Sequence, residues 1–79
     1  MAFCIEIEKI SETVNETIYE FFDMATGKGR LRLDKASGEV TEVVAAPGDG
    51  QGHRFQRAAV KVLRHWKEGQ LPEKTCWAS

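Results

Sequence analysis

Only two cysteines occur in the chain, Cys4 and Cys76, near opposite ends and without a Cys-x-x-Cys spacing. That pattern offers neither a disulfide framework nor a zinc knuckle, and two reduced, partly buried thiols are the expectation rather than a bridge. No apolar run approaches the roughly 20 residues a membrane span needs. The opening Met-Ala-Phe-Cys-Ile-Glu-Ile-Glu carries acid by Glu6 and no basic segment ahead of an apolar stretch, the reverse of a secretory signal. A cytoplasmic protein without membrane contact is expected. No metal or phosphate-loop motif is present, so no cofactor and no metal are expected, and the chain does not read as an enzyme.

With 42% hydrophobic and 29% charged residues over 79 positions, the composition is that of one globular domain rather than a disordered or fibrous chain. The net charge of −1 hides a division: residues 1–50 hold five bases and ten acids, whereas residues 51–79 hold six bases and two acids. The molecule is electrically two-ended.

Two segments share the pattern Asp-x-Ala-[Ser/Thr]-Gly-charged, Asp23–Lys28 and Asp34–Glu39. In each, the Asp can accept hydrogen bonds from following backbone N–H groups and the Gly can take the positive φ of a tight hairpin, which implies three consecutive antiparallel strands. Between them Arg30-Leu31-Arg32-Leu33 alternates strictly, placing both leucines on one sheet face. Val40–Ala45 is rich in β-branched residues and stops at Pro47-Gly48. Phe3, Ile5 and Ile7 alternate with Cys4, Glu6 and Glu8 as a half-buried strand should. Ile10, Val14, Ile18 and Phe22 also recur at helical spacing, but the turn at Asp23 needs a strand to turn from, so a strand is expected at about 16–22.

Phe55, Ala58, Ala59, Val62, Leu63 and Trp66 form a continuous stripe of 3.6 periodicity, and Gly69 and Pro72 end it. The expected fold is therefore α+β: a four-stranded antiparallel β-meander with one C-terminal amphipathic helix packed on one face, β-β-β-β-α, with the first and fourth strands as edges. The sheet should cover about residues 2–46, a glycine-rich loop 47–52, the helix about 53–68 and a tail 69–79, with Leu71 and Trp77 fastening the tail.

Three surfaces are candidates for function. Arg54, Arg57, Lys61 and Arg64 fall in one sector opposite the apolar stripe, a spacing suited to phosphates or an acidic partner, although a solvated helix face is the plainer reading. The loop Gly48-Asp49-Gly50-Gln51-Gly52-His53 enters the helix, making Gly50, Gly52, His53, Arg54 and Arg57 candidate anion contacts; the simpler alternative is a mobile connection with Asp49 or Gly52 near the cap. Lastly, Ile18, Phe22, Val40 and Val44 are expected to form an apolar interface on the face turned away from the helix. His53 and His65, separated by about 18 Å of helix rise, cannot share a metal in one copy. Glu6, Glu8, Glu16, Glu20 and Glu42 should line the sheet exterior among Arg30 and Arg32. The leading reading is a non-enzymatic interaction module with a protein partner or self-association; nucleic-acid or anion binding through the helix and loop is the alternative.

Overall fold

The computed structural model describes residues 4–24 and 26–78. The expected start of the first strand with Phe3, the Ala25 of the first turn, and Ser79 lie outside the described residues. The elements run β1 (Cys4–Glu12), β2 (Glu16–Phe22), β3 (Gly29–Asp34), β4 (Val40–Val44), α1 (His53–Lys67) and β5 (Lys74–Ala78). Every strand pairing is antiparallel and the sheet order is β4-β3-β2-β1-β5.

The four-strand meander stands as the turn spacing predicts, but the strand count is five. Residues 74–78 of the expected tail return along β1, with Cys4 opposite Ala78 and Glu8 opposite Lys74, so the edges are β4 and β5 rather than β1 and β4. Without it, the outer N–H and C=O groups of β1 would have been left unpaired. The connection from α1 is anchored at three successive carbonyls: Lys9 Nζ donates to that of Leu71 (2.8 Å), the Tyr19 hydroxyl to that of Pro72 (2.6 Å) and the Lys9 N–H to that of Glu73 (2.8 Å).

Register sets which side chains are buried. Ile5, Ile7, Thr17, Tyr19, Phe21, Leu31 and Leu33 share the face beneath α1, where Ala58 and Val62 complete the buried centre. Phe55, Leu63, Trp66, Leu71 and Trp77 pack around them, and Phe21 and Phe55 meet at 6.1 Å between ring centroids. Each large side chain withdrawn from water in this way contributes roughly 1.5–3 kcal/mol. The hydroxyl of Thr17 finds no hydrogen-bond partner among the described residues.

The two related turns diverge. Asp34 Oδ1 accepts from the N–H groups of Ala36 (2.9 Å) and Ser37 (3.2 Å), and Gly38 takes φ +78°, as the pattern predicts. At the first turn, by contrast, Gly27 is not in the positive-φ region; its N–H donates to Pro47 O (2.8 Å), while the Asp23 carboxylate accepts from Arg54 Nε (2.9 Å). These long-range partners are added to the local bonds of the turn, from the Thr26 N–H to Asp23 O (3.4 Å) and from the Asp23 N–H to Thr26 Oγ1 (3.2 Å).

Candidate functional site

The face of the sheet opposite α1 is built from rows fixed by register: Cys76, Glu6 and Phe22; then Lys74, Glu8, Glu20, Arg30 and Val44; then Ser11, Ile18, Arg32 and Thr41. β5 extends the sheet sideways and covers none of this face. Cross-strand pairing of acid and base is the arrangement expected on an open face. Arg32 Nε lies 2.7 Å from Glu16 Oε1, Arg30 Nε 3.4 Å from Glu20 Oε2, and Lys28 Nζ 3.5 Å from Glu20 Oε1. The Lys28 ammonium also stands 5.1 Å from the centre of the Phe22 ring. The hydrogen bond that Arg32 donates to Glu16 is the main reason that its pKa is raised further above its ordinary value.

Two positions expected on this face are elsewhere. Val40 pairs with Leu33 and packs against the core on the helix side. Glu42 pairs with Leu31 and is likewise turned toward that side, where burial first and Asp49 second raise its pKa. Pairing opposite Leu33 and Leu31, both on the helix side, sets these two positions there, and a register shift between Arg30 and Leu31 then inserts Val43 as an extra residue and returns Val44 to the open face. Ile18 and Phe22 are half-buried on the open face, and Ile10, Val43 and Val44 are exposed. The apolar residues form separate spots among paired charges rather than one patch.

The helix exterior is less basic than its spacing implies. Arg54 turns back into the molecule, to Asp23 and to Asp49 at 3.9 Å, because the α1 N-terminus is pinned beside the first turn. The Arg57 guanidinium sits 5.1 Å from the centre of the Trp77 ring on β5. Lys61 is half-buried and Arg64 is exposed. A shallow hollow of about 290 Å³ lies along α1, lined by Val60, Leu63, Arg64 and Lys67.

The α1 N-terminus already holds an anion, and it belongs to the chain. Asp49, buried, accepts from the N–H groups of Arg54 and Phe55, both at 3.1 Å, through its two carboxylate oxygens, while Gly52 sits at the cap with φ +72°. Loop and helix end are thereby joined, and the amides suited to an external phosphate are engaged. Gly50 and His53 remain exposed beside this cap. His65 Nε2 shares a hydrogen bond with Thr75 Oγ1 (3.1 Å), tying α1 to β5.

Among the described residues no three His, Cys, Asp or Glu side chains gather to hold a metal ion. Nor, among the described residues, is any helix long and apolar enough to cross a membrane. The thiols of Cys4 and Cys76 are exposed, not partly buried as the sequence suggests, because both belong to the open face. Sequence reasoning missed their proximity, since only the fifth strand brings the ends together. No protein-family model matches the chain, and comparisons with curated proteins and with solved structures gave no match.

Proposed function

We propose that the chain is a non-enzymatic interaction module that self-associates through the open face of its sheet, a second copy of the same chain being the partner. One observation carries this reading: α1 roofs one face, and no described element covers the other, where Ile18 and Phe22 are half-buried and Val44 is 45% exposed. The charge layout favours a second copy. Glu6 and Glu8 stand on β1, Arg30 and Arg32 on β3, and β2 lies between. A two-fold axis in the plane of contact, parallel to the strands and passing along β2, lays the β1 of each copy over the β3 of the other and sets Glu8 over Arg30, which share a row.

Five strands spaced by about 4.8 Å and some 20 Å long offer a face smaller than the roughly 800 Å² per partner of a standard interface. The association is therefore weak, with Kd on the order of 0.1 mM. Sedimentation equilibrium between about 10 μM and 1 mM, a range spanning that Kd, is the test. The average mass should rise toward that of a dimer, and Val44→Glu should hold the protein monomeric; a monomer at every concentration removes the proposal.

The residues left on the helix exterior, Arg64 and Lys67 with Lys61 beside them, favour a second and weaker reading as an anionic-polymer surface. Retention on heparin that falls steeply with salt, and that Arg64→Glu abolishes, would support it over the first.

A further inference from the structure

Cys4 and Cys76 lie at the two ends of the sequence, yet β1 and β5 bring them together. The ladder sets Cys4 opposite Ala78 and Glu6 opposite Cys76, so the two cysteines are diagonal neighbours on adjacent strands, on the same face of the sheet. Both side chains are exposed. They also occupy the end of the ladder, Cys4 with Ala78 being the last described pair, where backbone can adjust to the Cα separation of less than about 7 Å that a bridge requires.

We infer that Cys4 and Cys76 form a cross-strand dithiol that closes an intramolecular disulfide by exchange with a small disulfide of the glutathione class. One thiolate attacks a sulfur of oxidised glutathione, giving a protein–glutathione mixed disulfide and expelling one glutathione thiolate. The neighbouring thiolate then attacks the protein sulfur of that mixed disulfide, forms the Cys4–Cys76 bond and expels the second glutathione. Two protons and two electrons leave the protein pair, and one oxidised glutathione becomes two reduced ones. The product fastens β5 covalently to β1 and so ties the last strand to the first. Desolvation first, then the nearby Cys76 thiol and the Glu6 carboxylate, hold the Cys4 thiol above its ordinary pKa, so exchange quickens as pH rises.

The test incubates the full chain with oxidised glutathione, quenches in acid, and reads intact mass and the non-reduced peptide map. The wild type should lose the mass of two hydrogens, retain no glutathione and yield a Cys4–Cys76 peptide. Cys4→Ser and Cys76→Ser, lacking the second thiol, should each retain one glutathione as a stable mixed disulfide. The oxidised wild type should also melt at a higher temperature than its reduced form, a shift absent from both variants. Two glutathiones retained by the wild type, a bridge only between molecules, or thiols that stay free after prolonged incubation would each overturn the inference, and the wild-type measurement stands even where a variant folds poorly.

Discussion

Replacing Gly38 with alanine should be among the most damaging single-methyl changes in this chain. The residue closes the β3–β4 turn at φ +78°, and an added Cβ would lie 2.6 Å from Cζ3, 2.8 Å from Cη2 and 3.0 Å from Cε3 of Trp66. The indole cannot swing aside freely, since its Nε1–H donates to Lys35 O at 2.9 Å. Left-handed backbone costs a non-glycine residue roughly 1–2 kcal/mol, and forcing a methyl into a filled contact a further 1–3 kcal/mol. A loss of about 2–5 kcal/mol is expected, which in a domain of this size lowers the Tm by roughly 8–40 °C. Urea unfolding followed by circular dichroism measures it. Gly50→Ala is the control, because φ there is not in the positive region and a Cβ meets nothing within 4 Å. A double-mutant cycle with Trp66→Leu separates the two costs: the coupling energy reports the clash, and the cost of Gly38→Ala that persists in the Trp66→Leu background is the backbone strain. Gly38→Ala within about 0.5 kcal/mol of wild type, the spread of an ordinary surface change, would refute the reasoning.

Asp49→Ala removes the carboxylate that caps α1 and faces Arg54, and should lower stability by about 1–2 kcal/mol in chemical unfolding; an unchanged midpoint would show that the cap carries no stability. Thr17→Val exchanges a buried, unpartnered hydroxyl for a methyl of similar shape and should raise stability by about 1 kcal/mol, with a loss contradicting the expectation. The Glu12 carboxyl is pulled from 4.5 to about 2, by hydrogen bonds from Lys35 first and Lys9 second. Because the folded value is the lower one, the stabilisation is complete above the unfolded value of 4.5 and drains away as pH falls toward 2. The stability gap between wild type and Glu12→Gln at neutral pH should close across that window; a gap undiminished at its acid end would contradict the linkage.

The parts of the fold legible in the sequence are those whose signals are local. Leu31 and Leu33 alternate with Arg30 and Arg32, the Phe55-to-Trp66 stripe keeps one period for three turns, and Asp34 to Gly38 carries its own turn chemistry. What escaped is what another part of the chain decides. Residues 74–78 are too few to declare a strand by pattern, and they become one because β1 presents an unpaired edge some seventy residues earlier. Val40 and Val44 share a parity in sequence, yet one extra residue at Val43 puts them on opposite faces. Arg54 has the spacing of a surface base and is drawn inward because Asp23 and Asp49 flank the start of α1. No pattern within α1 itself could have signalled that.

These long-range choices also bear on how two copies would meet. β5 closes the β1 edge and is only five residues long, while the β4 edge is distorted by its bulge at Val43. Short and bulged edges are poor templates for pairing with another strand, so the broad face is the better route for contact. The two routes answer differently to salt. Edge pairing rests on backbone hydrogen bonds, whereas face pairing sets Glu8 of one copy over Arg30 of the other, charges that salt screens within about 10 Å at 0.1 M ionic strength. Sedimentation repeated at low and high salt should therefore show the dimer fraction falling as salt rises. A fraction that holds constant or grows would place the contact on an edge or on the apolar spots alone, and would remove the charge complementarity on which the choice of a second copy as partner rests.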